Sequence, residues 1–462
     1  MKLHKIKELI KGEVAILWFW KEGKSSLKFL LELWAENITI LDRNNIELTN
    51  TDSKIKSISW KDYLKDLNRF NLIIKSPWIS PYNNNLSVYS DIITTQSEIF
   101  TNNYSWKIIW ITGTKWKSTT STVLNLTLQK AWYNSILVWN IWNPVLDEVN
   151  ILWSDKYDYV VYEMSSYMLE WLDSEFYIGY INNLYNCHLD WHEWKPNYTN
   201  AKLNIIKKAK NKICNIELKE LTKEIPWISY FWDGTNFVYN TNKEFIVDWK
   251  VVLTDQNFSL EWIHNRINSV WIIAILRQIM GDKHWSEWVF SKLMEWLKYV
   301  LETFNWLPHR IENIWTYKWI TFIDDAIATT PESTIAAIKT FEHKIWTLLL
   351  WWQDSWFKFD KLKEFIEKFN ISNIVLFPDT WEKIFWDLTN YNYETTFELS
   401  INSHKINILK TKSMEEAVKF WYTNTNEWEI CLLSNAAPSF SLWSWYIEKW
   451  LLFQELVKKH SK

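Results

Sequence analysis

The sequence predicts an α/β protein built from about three domains. A chain of 462 residues corresponds to about three domains of ordinary size. Short apolar segments typical of buried strands alternate with segments of helical periodicity, which is the pattern of a mostly parallel sheet covered by helices. We place the boundaries near residues 104 and 307, so that the predicted domains span 1–104, 105–307 and 308–462.

The first domain opens with a predicted βαβ unit. Residues 13–18 are apolar and strand-like, a turn follows, and residues 25–33 have helical character. The next strand, residues 38–42, ends in an acid, Asp42. Units of this kind bind nucleotides at the carboxyl ends of their strands, so we expect a nucleotide at this edge.

The central and third domains repeat the alternation of strands and helices. The central domain begins with a strand over 107–112, a loop, and a helix from about 118 to 130. Further strands are predicted at 135–138, 157–162 and 178–182, and residues 264–300 have helical character. After Pro308 the predicted strands are 320–324, 347–350, 373–377 and 430–433.

Composition excludes several broad classes of protein. A net charge of -3 gives no bulk attraction to nucleic acid. The three cysteines are scattered without metal-site spacing, as in proteins of a reducing compartment. No apolar run approaches the ~18 residues of a membrane span, and the charged N-terminus has no secretory apolar segment behind it. We therefore expect a cytoplasmic monomer that binds neither nucleic acid nor membrane.

One loop of the central domain has the composition of a phosphate-binding site. It joins the strand 107–112 to the following helix and reads Gly113-Thr114-Lys115-Trp116-Lys117-Ser118-Thr119. In such loops glycine lets backbone N–H groups face the phosphates, lysine supplies positive charge, and a Ser or Thr hydroxyl binds Mg²⁺. The first glycine stands closer to the lysine than in the usual pattern, so the loop is a shortened variant. The alternative is a turn rich in Lys and Thr that binds no ligand.

Tryptophan is abundant and glycine is scarce. The chain contains 37 Trp and 6 Gly, whereas ordinary usage of about 7% would give about 32 Gly. Trp110 and Trp116 flank or enter the phosphate loop, and Trp18 and Trp20 hold the first two glycine places of a Gly-x-Gly-x-x-Gly turn that ends at Gly23. An indole cannot adopt positive φ cheaply or let a phosphate approach the backbone.

We therefore hypothesise that most of these tryptophans are glycine in the native protein. A codon that the source assigns to glycine would then have been translated as tryptophan. Trp60 and Trp191 are the positions at which we expect a genuine indole. The alternative is a protein that is truly rich in tryptophan.

Short segments in a fixed order resemble the Mur ligases, the ATP-dependent amide-bond-forming enzymes of peptidoglycan synthesis, and among them the glutamate-adding branch. After the phosphate loop and its preceding Ile-Thr, the matching segments are 76–79, 139–144, 163–170, 183–190, 198–202, 264–265, 307–310, 324–329 and 433–439. The resemblance implies a Rossmann-like N-terminal domain for a UDP-sugar, a central P-loop ATPase with a mostly parallel sheet, and a C-terminal Rossmann-like α/β domain that helps to bind ATP and glutamate.

The resemblance also implies roles for individual residues. The nucleotide site would comprise the whole loop from Gly113 to Thr119 together with Asn268, Arg310 and Asp325. Two Mg²⁺ ions would be held by Thr119, Glu163, His188 and Lys202, the last as a carbamate. The catalytic residues would be Lys117, Glu163, His188 and Lys202. The substrate residues would be Asp42, Arg43, Asn140, Asn183, Thr329 and Ser439.

The resemblance implies ligation of glutamate to UDP-N-acetylmuramoyl-L-alanine through an acyl phosphate, with D-glutamate as the usual enantiomer. Two lysines expected around the glutamate carboxylate are replaced by Ile327 and Ser355, while Cys187 and Ser441 replace expected acids. Residues 328–334 also resemble a branch that adds L-glutamate. Two further functions stay open: a folylpolyglutamate synthase-like ligase and, if the indoles are real, an inactive nucleotide-binding protein.

Overall fold

The computed structural model describes most of the chain. The described residues are 1–46, 55–82, 84–104, 107–138, 144–149, 157–185, 189–231, 234–255, 257–258, 263–281, 287–304, 307–328, 330–350, 359–377, 395–401, 404–436 and 446–461. They form two compact units, Met1–Phe304 and Asn305–Lys462. The division of the first unit near residue 104 therefore stays a prediction.

The first unit begins with a five-stranded parallel sheet. Its strands are β1 (Glu13–Leu17), β2 (Asn37–Asp42), β3 (Ile55–Ser59), β4 (Leu72–Lys75) and β5 (Ile93–Thr94). Their order across the sheet is β3-β2-β1-β4-β5, with every pairing parallel. This order places β1 centrally, at the point where the connections reverse direction, which is where doubly wound sheets bind ligands.

A six-stranded parallel sheet follows in the same unit. Its strands are β6 (Lys107–Thr112), β7 (Ser135–Val138), β8 (Tyr159–Glu163), β9 (Phe176–Ile181), β10 (Ala209–Asn215) and β11 (Ile228–Phe231). The order is β11-β10-β9-β6-β8-β7, so β6 lies between β8 and β9. An antiparallel ribbon, which the apolar pattern did not predict, adds β12 (Phe237–Tyr239), β13 (Glu244–Val247) and β14 (Lys250–Thr254).

Helices cover both sheets of the first unit. They are α1 (Leu3–Leu9), α2 (Lys21–Glu32), α3 (Gln96–Asn103), α4 (Lys117–Lys130), α5 (Val145–Glu148), α6 (Ser166–Leu169), α7 (Leu189–His192), α8 (Lys195–Lys207), α9 (Lys219–Thr222), α10 (Ile263–Gly281) and α11 (Glu287–Thr303). The predicted helical region 264–300 is thus described as two helices. Short 3₁₀ turns lie at Trp60–Asp62, Leu67–Arg69, Leu86–Tyr89 and Ile216–Leu218.

The second unit is built around a seven-stranded mixed sheet. Its strands are β15 (Glu312–Tyr317), β16 (Ile320–Asp325), β17 (Ile345–Leu350), β18 (Asn373–Leu376), β19 (Thr395–Ile401), β20 (His404–Lys410) and β21 (Ile430–Ser434). The order is β15-β16-β21-β17-β18-β20-β19, and only the two outermost pairs are antiparallel. The helices are α12 (Pro331–Phe341), α13 (Asp360–Lys368), α14 (Met414–Asn424) and α15 (Tyr446–His460), with a 3₁₀ turn at Glu342–Lys344.

These sheets confirm the α/β class with mostly parallel sheets. The central strands of the six-stranded sheet are buried along nearly their whole length, because helices cover a parallel sheet on both faces. Within the described part of the chain, no helix has both the length and the apolar character that crossing a membrane requires.

Many tryptophans occupy backbone conformations that suit glycine. Left-handed φ angles between 60° and 79° occur at Trp18, Trp34, Trp60, Trp116, Trp132, Trp227, Trp249, Trp319 and Trp428. Trp34 and Trp132 each lie just after the end of a helix. At both places the backbone forms the two hydrogen bonds that define a Schellman motif, and glycine is strongly preferred at this position. The expectation that Trp60 is a genuine indole is wrong on this criterion, because its φ is 68° and its side chain is 69% exposed.

Buried tryptophans differ in their hydrogen bonding. The indole N–H groups of Trp110, Trp171, Trp271, Trp421 and Trp450 are buried without an acceptor among the described residues. A buried indole N–H normally finds a partner, so these positions also fit tryptophan poorly. Trp191 is the contrasting case, because its Nε1 donates to the carbonyl of Trp78 at 3.1 Å. The prediction that Trp191 is genuine is consistent with this contact.

Candidate active site

The phosphate loop leaves the carboxyl end of β6 at the centre of the second sheet. The loop enters α4 through Trp116, which has a left-handed φ of 63° at the N-cap. Gly113 lies against β9, and a Cβ at that position would overlap the side-chain amide of Asn182. Both ends of the loop therefore demand glycine, one by close approach and the other by conformation.

Two asparagines after β9 hold the loop in shape. The side-chain oxygen of Asn183 accepts the backbone N–H groups of Thr114 and Lys115, each at 2.9 Å. Asn182 donates its amide to the carbonyl of Lys115 at 2.8 Å. The predicted substrate residue Asn183 is therefore bound to the phosphate loop in this structure, and Asn182 is a loop contact that no sequence motif marks.

Lys202 reaches the same strand end from α8. Its side chain is buried, and Nζ donates to the hydroxyl of Thr112 at 2.9 Å and to the carbonyl of Gly113 at 2.8 Å. Thr112 in turn donates to the carbonyl of Met164 at 2.8 Å. This chain of bonds links β6, the residue after β8, and α8, so it brings Lys202 directly beside the phosphate loop.

Glu163 is the last residue of β8 and pairs in register with Ile111 of β6. Its side chain is 1% exposed, and Oε2 has no hydrogen-bond partner among the described residues. Ser118 and Thr119 are buried in the first turn of α4. Burying a carboxylate oxygen without a hydrogen-bond donor costs free energy of folding unless another group, such as a cation, binds it.

Tyr198 adds a further contact to the loop from α8. Its hydroxyl lies 2.7 Å from the hydroxyl of Thr114, and the backbone N–H of Tyr185 also donates to Thr114 at 2.9 Å. The Lys117 Nζ is 3.4 Å from the carbonyl of Thr114, and the Lys115 Nζ lies 5.5 Å from the ring centroid of Tyr185. Three lysines, at 115, 117 and 202, therefore surround one short loop.

Asn268 is buried on α10, two residues after a buried ion pair. Arg266 binds Asp255 through two hydrogen bonds of 2.6 and 3.0 Å, and Tyr239 donates to the same carboxylate at 2.8 Å. These contacts attach the antiparallel ribbon to the helix that carries Asn268. Burial, together with the hydrogen bond to Asp255, raises the pKa of Tyr239 to about 12.

The first sheet carries a second strand–turn–helix site. Asp42, at the end of β2, accepts the backbone N–H of Phe19 at 2.7 Å and that of Asn44 at 2.8 Å, while Arg43 is exposed. A Cβ on Gly23 would overlap the carbonyl of Trp18, so glycine is required there by close approach. Asp42 therefore closes the turn between β1 and α2, whereas its predicted role in binding the UDP-sugar stays a prediction.

A half-buried acid and a buried lysine flank this first turn. Removal from water raises the pKa of Glu22 to about 7, although Ser76 and Lys75 oppose the shift. Burial likewise lowers the pKa of Lys75 to about 7, against the attraction of Glu22 and Glu170. The Lys75 Nζ donates to the carbonyls of Ser76 and Ile79 at 3.0 and 2.8 Å. Neither residue stood out in the sequence, because a lysine at a strand end carries no motif.

The second unit holds two of the predicted nucleotide residues, Arg310 and Asp325. Asp325 ends β16 and accepts the hydroxyl of Ser434 at 2.8 Å. Burial raises the pKa of Asp325 to about 7, and the charge of Arg310 opposes the shift. His309 binds Asp324 at 2.8 Å through Nδ1, which indicates a packing and hydrogen-bonding role for this histidine.

Comparison with known proteins finds relatives along the whole chain. A model of the Mur ligase middle domain matches residues 111–230. A relative from Clostridium perfringens named UDP-N-acetylmuramoylalanine–D-glutamate ligase is 27% identical, and one of the same name from Clostridium beijerinckii is 25% identical, each over 98% of both chains. The crystal structure of a MurF ligase from Thermotoga maritima in complex with ADP has a TM-score of 0.56 at 15% identity, covering 97% of this chain and 96% of that one.

Over nearly its whole length the chain is similar to Mur ligases, and residues 111–230 match the middle domain of that family. Mur ligases are ATP-dependent amide-bond ligases of peptidoglycan synthesis, and this confirms the predicted enzyme class and the use of ATP. The phosphate loop, Glu163 and Lys202 all lie within the matched range 111–230. The resemblance carried by nine short segments is confirmed over nearly the whole chain.

Several of the predicted site residues lie outside the described residues. They are His188, Asn140, Thr329 and Ser439, together with Cys187, Ser355 and Ser441, at which the sequence departs from the expected pattern. Ile327, which replaces an expected lysine, is half-buried directly after Asp325 and Ala326. The described residues thus bring together the loop, Asn183, Glu163 and Lys202 in one place.

Proposed function

We propose that this Mur ligase joins glutamate to UDP-N-acetylmuramoyl-L-alanine in the cytoplasm, as a monomer. ATP would transfer its γ-phosphoryl group to the alanine carboxylate, forming an acyl phosphate and ADP. The glutamate amine would then attack the acyl carbon, and inorganic phosphate would leave. The relatives named for this reaction support the proposal over 98% of the chain. The observation that carries it is the grouping of the phosphate loop, Glu163 and Lys202 at one sheet edge.

The phosphate loop would bind the triphosphate. Backbone N–H groups of residues 116–119, at the N-terminus of α4, would face its oxygens, and Lys117 would offset the charge that develops during transfer. Trp116 would have to be glycine, since an indole at the left-handed N-cap fills the space beside the phosphates. Asn268, Arg310 and Asp325 are the proposed contacts to the rest of the nucleotide, Asp325 to the ribose.

The donor set at this edge fits Mg²⁺. Oxygen ligands suit this ion, and they would come from the Thr119 hydroxyl and from Glu163, whose buried Oε2 meets no donor in the described part of the chain. His188 would bind a second ion. Bound Mg²⁺ would neutralise charge on the transferring phosphoryl group. As an ammonium, Lys202 does not fit such a site, but a carbamate on its Nζ would be an anion that does.

The carbamate is tested by removing its nitrogen. Lys202→Ala is expected to lower kcat by about 100-fold or more, because the anionic ligand is lost. Added small carboxylates should restore part of the activity. Lys207→Ala, an exposed lysine on the same helix, is the matched control and should behave like the parent protein. Full activity of Lys202→Ala would remove the carbamate from the proposal.

The remaining roles concern the two substrates. We propose that Asp42, Arg43 and the turn ending at Gly23 hold the uridine diphosphate, and that Asn140 and Asn183 lie near the substrate and the nucleotide. Thr329 and Ser439 would contact glutamate. D-glutamate is favoured because the relatives are named for it. The segment 328–334 keeps L-glutamate as the alternative within the family.

One assay separates these possibilities. Protein made with glycine at the reassigned codon is incubated with UDP-N-acetylmuramoyl-L-alanine, ATP, Mg²⁺ and each enantiomer of glutamate, and phosphate release is followed. Release with D-glutamate alone supports the first proposal, and release with L-glutamate alone supports the second. Release with neither enantiomer would contradict both. A folate acceptor tests the folylpolyglutamate synthase-like activity, and ATP binding without turnover would indicate an inactive nucleotide-binding protein.

A further inference from the structure

The loop after β4 is held by a tryptophan of α7, the short helix between β9 and β10. This segment, residues 76–82, is called here the 76–82 loop. The Trp191 indole N–H donates to the carbonyl of Trp78 at 3.1 Å, and the Ser80 hydroxyl donates to the carbonyl of Trp191 at 2.6 Å. Both bonds therefore join the loop that follows a strand of the first sheet to a helix that connects two strands of the second sheet. Because the acceptor at residue 78 is backbone, the first bond is independent of whether that residue is tryptophan or glycine.

The surroundings of Trp191 keep its ring in one orientation. The side chain is 7% exposed, and its ring lies 4.6 Å from Tyr167 and 6.3 Å from Tyr82 between centroids. The ammonium of Lys75, at the end of β4, is 5.9 Å from the indole centroid. Tyr82 also hydrogen-bonds the carboxylate of Glu170 beside α6. The 76–82 loop is therefore attached at its start, middle and end.

The packed side chains continue from Trp191 to the phosphate loop. His192 is fully buried, with its ring centroid 4.4 Å from Trp191 and 5.4 Å from Tyr198. The Tyr198 hydroxyl is the one that lies 2.7 Å from Thr114 in the phosphate loop. Packed side chains thus run without a gap from the carboxyl edge of the first sheet to the loop at the carboxyl edge of the second.

We propose that Trp191 is a positioning residue that sets the UDP-sugar-binding sheet in register with the ATP-binding sheet. The inference rests on the proposed function, because it assumes that the acceptor is anchored at the first sheet and phosphorylated at the second. Correct placement of the acceptor carboxylate against the nucleotide then depends on the two hydrogen bonds to the 76–82 loop. Positional errors of this kind reduce the rate even when each ligand still binds.

The test compares Trp191→Phe, which keeps an aromatic ring but removes the N–H donor, with Ser80→Ala, which removes the second bond. We expect each variant to lower kcat/KM for the UDP-linked acceptor by about 3- to 10-fold, the effect of one hydrogen bond. KM for ATP should change less than about 2-fold, because the phosphate-loop contacts of Thr114 and Lys202 are untouched. In protein without ligands, amide hydrogen exchange in residues 76–82 should become faster in both variants.

Tyr422→Phe is the matched control, since it removes one hydroxyl hydrogen bond, to the carbonyl of Val457, in the second unit. It should leave exchange in residues 76–82 unchanged. Unchanged exchange in that loop for Trp191→Phe and Ser80→Ala would overturn the inference, as would an equal loss of efficiency for ATP and acceptor. The parent protein could turn over no UDP-linked acceptor while amide exchange in residues 76–82 still became faster in the two variants. That result would contradict the proposed function but would support the attachment of the 76–82 loop by Trp191.

Discussion

The turn after β1 and the loop after β6 have the same construction and different charge. Each leaves the central strand of a parallel sheet and opens a helix at a lysine, Lys21 in α2 and Lys117 in α4. Each contains a left-handed tryptophan, Trp18 with φ 79° and Trp116 with φ 63°. Close approach requires a glycine in each, at Gly23 and Gly113.

The charged side chains around the two turns differ in sign. The first turn is closed by an acid, Asp42, and flanked by Glu22, while Lys75 beside it has a pKa lowered to about 7. The second is surrounded by Lys115, Lys117 and Lys202. An acid at the strand end suits a ribose hydroxyl, and a cluster of lysines suits a triphosphate. Under the proposed function, one backbone design would serve two ligands, and the surrounding charges would decide which ligand each turn binds.

The largest expected effect concerns the two left-handed tryptophans. Trp116→Gly in the tryptophan-containing chain should convert a protein without measurable ATP binding into one that binds ATP, because the space beside the phosphates opens. Trp18→Gly should leave ATP binding unchanged and improve binding of the UDP-linked acceptor instead. Titration calorimetry with each ligand measures both. Equal ATP binding before and after Trp116→Gly would show that position 116 tolerates an indole.

The next effect concerns the matched lysines. Lys117→Ala, in protein with glycine at 116, should lower kcat by about 100- to 1000-fold through loss of charge stabilisation in the transition state. Lys21→Ala, at the same position of the first turn, should change kcat by less than about 3-fold, since this lysine is exposed. Steady-state phosphate release gives both values. Comparable losses of kcat in the two variants would contradict the assignment of ATP to the second turn and the UDP-linked acceptor to the first.

A smaller effect is expected at the acid that closes the first turn. Asp42→Ala removes the acceptor of the Phe19 N–H and should raise KM for the UDP-linked acceptor by about 10-fold, with KM for ATP unchanged. Asp147→Ala, an acid of the same unit that is paired to Lys28 at the surface, is the control. A rise in KM for ATP in Asp42→Ala would mean that Asp42 acts at the ATP site, which contradicts the prediction.

The smallest effect is a pH dependence of stability that only the first turn should show. The pKa of Glu22 is about 7 in the native state and near its ordinary value of 4.5 when unfolded. The native state therefore binds the extra proton between these values, so the stabilisation is complete below pH 4.5 and disappears as pH rises through 7. Relative to Glu22→Gln, the parent should lose about 1–2 kcal/mol between about pH 5 and 7.5, measured by urea unfolding. Parallel curves for the two proteins would exclude the shift.

Much of the fold was predictable from local pattern. The predicted strands 107–112 and 135–138 have the same bounds as β6 and β7 in the structure. They were predictable because buried parallel strands are continuous apolar runs. The antiparallel ribbon β12–β14 was not, because its strands are short and mostly half-buried. The lysine-rich loop was recognisable from order and spacing alone, whereas Asn182 and Tyr198 were not, since their roles depend on contacts from distant elements.

The tryptophans show the same difference between what the sequence reveals and what the structure reveals. The composition shows that glycine is scarce, yet only the backbone shows which positions need it: Trp60 was expected to be an indole and has a left-handed φ of 68°. Composition, apolar periodicity and the spacing of polar residues depend on neighbours along the chain, so they identify the α/β class and the family. The bonds from Trp191 to the 76–82 loop and from Lys202 to Thr112 join residues distant in the sequence, and such contacts exist only once the sheets have formed.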